Sequence, residues 1–503
     1  MISALGLMNM SNKQYVLALD AGTTSERAVL FDASGNLVGQ ASRAIKQIYP
    51  HPAWVEHDPM ELLSSLVGVI SEVMVMCDVQ PHEIASVGIT NQRETTIVWD
   101  KHTGKPIYNA IVWQCRRTSE MIADIKARRL FDMIREKTGL ICDPYFSASK
   151  IAWILDNVEG ARQKAEAGDL LFGTVDSWLM YKLSEGNVHL TDHTNASRTM
   201  LYNIHSLEWD TELLELFNIP ASMMPKVQAS SGYFADISQE FVREPLAITG
   251  VAGDQQASLF GHCCFEAGQV KNTYGTGCFL LMNTGNKAVS SQNGLLTTIG
   301  ISDGKEIQYA LEGSVFVAGA VVQWLRDELK IIESAQETEE LASSVDSSDG
   351  VYVVPAFTGL GAPYWDPDAR GIICGISRGT NKEQIVRAAL ESMAFQTYDI
   401  IKAMQADSSI ELSRLAVDGG ACGNNFLMQF QADILEVSLD RPKVLETTAL
   451  GAAYLAGLAS GFYSSKEELA ALHKTEEIVP EIDKIKLKRR LDGWHDAVKR
   501  ALG

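Results

Sequence analysis

Positive charge is scarce: 43 lysines and arginines stand against 63 aspartates and glutamates, for a formal net charge of -20 over 503 residues. Such a field repels phosphate polymers, so a general affinity for nucleic acid or for anionic membrane surfaces is excluded and any phosphate ligand must be gripped locally. Cysteine is sparse as well. The eight cysteines (Cys77, Cys115, Cys142, Cys263, Cys264, Cys278, Cys374 and Cys422) are scattered and lack paired zinc-type spacing, so reduced, buried thiols are expected. His262 beside Cys263 and Cys264 makes a poor metal set, because adjacent side chains seldom converge on one ion. No apolar stretch reads as long enough to span a bilayer, so no membrane insertion is expected. The short apolar run Ile2 to Met8 lacks basic residues ahead of it, so export is not expected and the cytoplasm is the expected compartment. The two commonest nucleotide fingerprints, GxxxxGK[ST] and a GxGxxG following a strand, are missing too.

What is present is an ordinary globular composition, 46% hydrophobic and 21% charged, in a chain too long for a single core. Tyr15 to Asp20 reads as a buried strand, Arg27 to Asp32 as its hairpin partner and Leu37 to Ile45 as a third strand. Asp58-Pro59-Met60-Glu61 marks a helix start, with Asp as cap, Pro at the first helical position and Glu placed to complete a capping box; the apolar run behind it extends to about Met76. Ile84 to Thr90 and Thr95 to Trp99 read as strands, Arg117 to Lys137 and Ser147 to Asp156 as helices. Halfway along, the opening repeats: strand Val270 to Tyr274, turn Gly275-Thr276-Gly277, return strand Cys278 to Asn283. Helices follow at about Val315 to Leu329 and from Thr380, where Thr380 to Glu383 forms another capping box. Strand Leu415 to Asp418 then runs through Gly419-Gly420 into a helix from Asn425, and Leu487, Leu491, Trp494 and Val498 share one stripe of a last helix. The expected organisation is α/β: a tail over residues 1–14, a lobe over 15–260 and a second lobe over 261–503, with a ligand cleft between them.

Without a P-loop, phosphates need another cradle. Asp20-Ala21-Gly22-Thr23-Thr24-Ser25 offers backbone N–H groups at a tight turn and three hydroxyls, while Asp20 at the strand end can hold hydrated Mg2+. Gly275-Thr276-Gly277 has the same chemistry, although either segment alone equally fits an ordinary polar turn. Gly419-Gly420 lets a nucleotide approach the backbone, with Asn424 nearby for a hydrogen bond; alone it is a common strand-to-helix turn. Arg93 and Glu94 end an apolar strand, where both are costly to bury unpaired. A small polyol would pair with both, Arg donating to hydroxyl oxygens and Glu accepting from hydroxyl hydrogens, and a surface ion pair is the bland alternative. Asp254, just past the run Leu246 to Val251, suits a base that takes a substrate proton, and equally a helix cap over Gln255 and Gln256.

Asp20 to Arg27, Asn91 to Thr95, Trp113 to Arg117, Asp143 to Lys150, Gly253 to Gly261, Asn272 to Phe279, Pro355 to Pro367 and Val417 to Gln431 together carry a resemblance spanning almost the whole chain. It resembles the carbohydrate kinases named after a short Phe-Gly-Gly-Tyr signature, the FGGY family, and within them the glycerol-phosphorylating branch, to which Trp113-Gln114 and the Arg93-Glu94 pair are similar. The resemblance implies two ribonuclease-H-like lobes of the actin and sugar-kinase ATPase type with a catalytic cleft between them and ATP mainly on the second lobe. It implies MgATP-dependent conversion of glycerol to sn-glycerol 3-phosphate in glycerol uptake and catabolism, with Asp254 as general base and Arg27 and Asp20 assisting. Thr23, Thr24, Ser25 and Arg27 would contact the phosphates, joined by Thr276, Gly319, Gln323, Gly420 and Asn424 around the nucleotide. Arg93, Glu94, Tyr145, Asp254 and Gln255 would hold glycerol, with Trp113 and Phe279 walling its carbon chain or serving as plain core. A homodimer or homotetramer is implied. Some relatives carry a glycine-rich loop with Arg that binds fructose 1,6-bisphosphate, or a phosphorylatable His; Ser231 to Gly250 has neither, and Arg243 is the one cation left there to draw an anion. The competing readings are a pentulose or erythritol kinase of the same fold, and an actin-like or chaperone-like ATPase module that would leave Arg93, Glu94 and Tyr145 without a task.

Overall fold

The computed structural model describes residues 13–481 and 484–502; residues 1–12 of the expected tail, with the run Ile2 to Met8, lie outside the described residues. The first large sheet comprises β1 (Tyr15–Ala21), β2 (Ser25–Asp32), β3 (Leu37–Ala44), β4 (Ile84–Asn91), β5 (Ser231–Ile237) and β6 (Leu246–Gly253) in the order β5-β6-β4-β1-β2-β3. Strands β3, β2 and β1 run antiparallel, β4 and β6 join parallel to β1, and β5 closes antiparallel. The second sheet comprises β7 (Gln269–Tyr274), β8 (Cys278–Gly285), β9 (Leu296–Ser302), β10 (Ile307–Val315), β11 (Arg414–Asp418), β12 (Leu439–Pro442) and β13 (Thr475–Ile478) in the order β9-β10-β8-β7-β11-β12-β13. Three antiparallel strands, two parallel additions and an antiparallel edge recur there, with β9 added outside β10. The repeat expected from the two hairpins is therefore a repeat of whole sheets.

Both faces of the first sheet are covered, so β1 is apolar continuously rather than alternately. Helix α1 (Pro59–Met76) lies on one face, burying Leu62, Leu66, Val69, Ile70 and Val73 against Leu17, Leu19, Ala28 and Leu30. Two further helices sit between the sheets: α2 (Asp254–Gly261), continuing from β6, and a later helix over Thr447–Ser460, which pack Ala257, Leu259, Ala449 and Ala453 into one core with Val16, Val29, Leu281 and Ala416. They cross so closely that a Cβ on Gly451 would lie 1.8 Å from the Ala257 carbonyl oxygen, so only glycine fits there. At the C-terminus, helix Lys484–Leu502 buries Leu487, Trp494 and Val498 with Leu491 half-buried, the expected stripe.

Several expectations need correction. The Pro59–Met76 helix is long and apolar enough to cross a membrane by length and composition alone, the one such helix among the described residues; its apolar side lies on the first sheet, as in a core helix. Asp58 caps it by accepting from Met60 N at 2.8 Å, but Glu61 accepts from Lys46 N at 3.1 Å and completes no box. The box near residue 380 is shifted by one: Asn381 and Gln384 exchange the two bonds, while Thr380 accepts from Ser377 N. Arg117 to Lys137 is two helices, Ser119–Ala127 and Phe131–Thr138, separated at Arg129, whose φ is 57°. Thr95 to Trp99 becomes Ile97–Asp100, paired with Leu170–Gly173 outside both large sheets. Val315 still belongs to β10, paired with Cys278, and the helix there, α3, is Gly319–Asp327.

Candidate active site

The first hairpin joins β1 to β2, and its register sets Asp20 opposite Arg27, so both side chains leave the same face. Arg27 donates to the Asp20 carboxylate and, at 2.5 Å, to Glu446 just ahead of the Thr447–Ser460 helix. Burial raises the Asp20 carboxyl above its ordinary range; Arg27 opposes this, and Asp254 and Glu446 add to it. Gly22 N donates to Ser25 O at 3.0 Å to close the turn, Gln92 Nε2 donates to Gly22 O at 2.9 Å, and Gln47 Nε2 to Thr23 O at 2.8 Å. Trp113 Nε1 donates to the Thr23 hydroxyl at 3.0 Å. Thr24 is exposed at the tip and Thr23 and Ser25 are half-buried. Among the described residues no three His, Cys, Asp or Glu side chains are grouped to hold a metal. Asp20 nonetheless fits magnesium, which keeps most of its waters and binds through one or two carboxylates plus phosphate oxygens.

The second hairpin, between β7 and β8, is built from backbone. Gly275 N donates to Gly277 O at 2.8 Å, Gly319 N to Gly275 O at 3.0 Å, and the N–H groups of Ala318 and Ala320 to Thr276 O at 2.9 and 3.1 Å. The exposed turn is thus seated on the start of α3, and a Cβ on Gly319 would lie 2.6 Å from the Gly275 carbonyl oxygen. Gln323 is exposed on the same helix, and Gly420 is exposed just past β11. Asn424 is more committed than its sequence suggests. It caps the next helix by accepting from Leu427 N at 2.9 Å and donates to Thr338 Oγ1 at 3.2 Å, leaving one amide hydrogen.

Arg93, Glu94, Tyr145 and Asp254 come together. Arg93 Nε lies 3.3 Å from Asp254 Oδ1 and 3.8 Å from Glu94 Oε1. Arg93 and Glu94 are buried, whereas the Asp254 side chain keeps 32% of its surface, which makes it the carboxylate a ligand can reach. Asp254 Oδ1 also accepts from Gln255 N at 2.7 Å, but the expected cap is displaced: Gly253 holds the cap position and Asp254 is the first residue of α2. Lys271, from β7, donates to Gln255 Oε1 and to Thr273 Oγ1 at 3.0 Å. A lysine only donates, which leaves the Gln255 amide hydrogens free to face a ligand. Trp113 and Tyr145 meet edge to face at 5.4 Å and form one wall. Phe279 stands on β8 between Thr273 and Ser314, with no ring contact to that pair among the described residues.

Residues 15–261 match the profile described as the FGGY family of carbohydrate kinases, N-terminal domain, and residues 270–460 match that of the C-terminal domain. The chain belongs to the FGGY family of carbohydrate kinases. It is similar to a glycerol kinase from Carboxydothermus hydrogenoformans, at 60% identity over 491 residues covering 97% of this chain and 98% of that one. It is similar to a Clostridium botulinum glycerol kinase at 56% identity, covering 97% and 99%. Among solved structures, Plasmodium falciparum glycerol kinase with ADP matches with a TM-score of 0.93 at 38% identity, covering 97% of this chain and 98% of that one. A ligand-bound xylulose kinase from Lactobacillus acidophilus matches at 0.88 and 22% identity over the same shares, a likeness of fold alone. This FGGY kinase has the two-lobed α/β architecture of the actin and sugar-kinase ATPases.

Four charged residues of the kinase site escaped the sequence reading: Arg198, Glu312, Lys271 and Glu446. Glu312 is a lone carboxylate in the apolar strand β10, and Arg198 a lone cation in the small-residue run Thr194 to Thr199. Each carries the same signal that singled out Arg93 and Glu94, a charge where burial demands a partner.

Proposed function

We propose that this FGGY kinase phosphorylates glycerol, moving the terminal phosphoryl group of ATP onto a primary hydroxyl to give sn-glycerol 3-phosphate and ADP. The observation that carries the reading is the position of Asp254: partly exposed, 3.3 Å from Arg93, and at the same end of the first sheet as Asp20, since Ala21 and Gly253 both lie opposite Asn91 of β4. The relatives' names supply the polyol.

Arg93, Glu94, Tyr145 and Gln255 hold and orient the glycerol hydroxyls, with Trp113 and Phe279 against the carbons. Asp254 accepts the hydrogen bond of the terminal hydroxyl and receives its proton as the new O–P bond forms and the bond from the γ-phosphorus to the ADP oxygen breaks. The transition state of phosphoryl transfer is loose, so aim matters more than early proton removal and an ordinary carboxylate suffices. Arg27, Thr23, Thr24, Ser25 and Thr276 stabilise the equatorial oxygens, and Gly319, Gln323, Gly420 and Asn424 border the rest of the nucleotide. Asp20 would hold magnesium, which when bound would supply charge neutralisation for the phosphates. Seating the lobes against each other excludes the water that would otherwise hydrolyse ATP.

We place the division of the lobes near residue 260, giving 15–260 and 261–503. The cytoplasm is the compartment this reading favours, where eight free cysteines would stay reduced, and a homodimer or homotetramer is the assembly suggested by family likeness. The test is purified protein with ATP, magnesium and a panel of glycerol, erythritol, xylulose and ribulose. Glycerol 3-phosphate is expected to dominate; preferential phosphorylation of a pentulose, or ATP hydrolysis indifferent to every polyol, would overturn the reading.

A further inference from the structure

The polyol side of the cleft is held by two residues with no assigned task. Arg198 is fully buried and touches three of the proposed glycerol ligands or their partners. Its Nε donates to Glu94 Oε1 at 2.7 Å, its Nη2 to Glu312 Oε1 at 2.8 Å, and its guanidinium carbon stands 5.9 Å from the centre of the Tyr145 ring. Glu312 comes from β10 of the second sheet. It takes Arg93 in a two-point grip, Nη1 to Oε2 at 2.6 Å and Nη2 to Oε1 at 3.2 Å, while Arg93 Nη1 also donates to Gln256 Oε1 at 3.2 Å. Charges thus alternate from Glu94 through Arg198 and Glu312 to Arg93, and the chain crosses from one lobe to the other.

Donor counting shows what this arrangement does. Arg93 has five N–H groups; three are spent on Glu312 and Gln256, which leaves the Nε hydrogen beside Asp254 and one on Nη2. Glu94 has one oxygen occupied by Arg198. Each proposed ligand therefore keeps a limited set of directions for a hydroxyl, set by a partner behind it. Burial opposes ionisation of Glu312, yet Arg198 and Arg93 hold its carboxyl at about 2, so the grip is charged at any working pH. β10 also runs directly toward Gly319, seven residues beyond Glu312, where the second hairpin sits.

We propose that Arg198 and Glu312 are positioning residues of the polyol subsite, Arg198 fixing Glu94 and Tyr145 and Glu312 fixing Arg93 from the opposite lobe, so that the grip on the substrate is complete only when the lobes are seated together. The inference rests on the glycerol kinase reading above and deepens it. Neither residue needs to touch the substrate: a fork from Arg and a two-oxygen face from Glu hold a partner in orientation as well as by charge, which Lys or Gln cannot reproduce.

The full-length enzyme is assayed first with glycerol; inactivity there defeats the functional reading itself. With an active wild type, Glu312→Gln and Arg198→Lys are compared for the KM of glycerol, the KM of ATP and the Kd of ADP measured without glycerol. Each variant is expected to raise the glycerol KM at least tenfold with the two nucleotide constants within twofold of wild type. Unchanged glycerol KM, or equal weakening of glycerol and nucleotide, would overturn the inference, the second outcome marking a purely structural role. Should either single variant fail to fold, Arg198→Met/Glu312→Gln, which removes one charge of each sign, is expected to fold and keep the raised glycerol KM. A wild-type KM in that double variant would overturn the inference equally.

Discussion

The two hairpins occupy the same place in two sheets of the same order, yet they are built from different materials. The first is wired by side chains: Arg27 bridges Asp20 and Glu446, and Gln47, Gln92 and Trp113 tie down the turn. The second is almost pure backbone, three residues without a charge, closed by one main-chain hydrogen bond of its own and seated on the start of α3 by three more from Ala318, Gly319 and Ala320. One duplicated scaffold thus carries a charged end, which the proposed function gives to the phosphoryl group, and a neutral end, which it gives to close backbone approach. Mutations at the two ends should fail differently.

The largest effect belongs to the residue that faces the charged end without being part of it. Asp254→Asn keeps the shape and the bond from Gln255 N but removes the proton acceptor. Turnover is expected to fall by about 10²–10⁴-fold, with ATP binding by calorimetry unchanged; full turnover in the variant would sink the assignment of Asp254 as base. Next comes Arg27→Gln, which takes the one cation away from two carboxylates. Loss of charged hydrogen bonds is worth about 1.5–3 kcal/mol each, so the ATP KM should rise roughly 10- to 100-fold while the glycerol KM stays put. A rise confined to glycerol would show that the first hairpin does not serve the nucleotide.

The neutral end should break by crowding. Gly319→Ala puts a methyl group 2.6 Å from the Gly275 carbonyl oxygen. Backbone must shift, at a cost of about 1–3 kcal/mol, and the expected result is a roughly tenfold higher ATP KM with thermal stability lowered and the glycerol KM untouched. Equal nucleotide affinity in wild type and variant would mean that the seat of the second hairpin on α3 is incidental.

The contrast also explains what the sequence could show. Both hairpins were legible because strand, glycine turn and strand are local, and so was the repeat. Arg93, Glu94 and Asp254 stood out because a charge at the end of an apolar strand asks for a partner. Their partners did not stand out, since Arg198 meets Glu94 across 104 residues and Glu312 meets Arg93 across 219, and no local pattern encodes such a distance. Helix ends failed for a related reason. Glu61 had a better offer from Lys46 N than the box assigned to it, and Val315 stayed in β10 because Cys278 pairs with it. Where tertiary contacts compete with local propensity, the local reading loses by a few residues.

The smallest expected effect tests how tightly the charged hairpin is balanced. Glu26 lies between Ser25 and Arg27 but points to the opposite face of β2, with Ala28 and Leu30, toward α1. It is wholly buried, and neither carboxyl oxygen has a hydrogen-bond partner. Burial, and after it the charge of Asp20, push its pKa well above the ordinary carboxylate range. In the unfolded chain the group ionises near 4.3. Between that value and the folded one the native state holds a proton that the unfolded state has released, so Glu26 makes folding less favourable as pH rises through this window, and has no such effect below it. Glu26→Gln cannot ionise. The variant should therefore match wild type closely in melting temperature at pH 4 and exceed it by about 2 °C or more at pH 8, with nucleotide and glycerol constants unaltered. A difference in melting temperature that stayed flat from pH 4 to pH 8 would show that Glu26 is ionised and compensated in the native protein, with Arg43, opposite it on β3 and packed against α1, as the counter-charge.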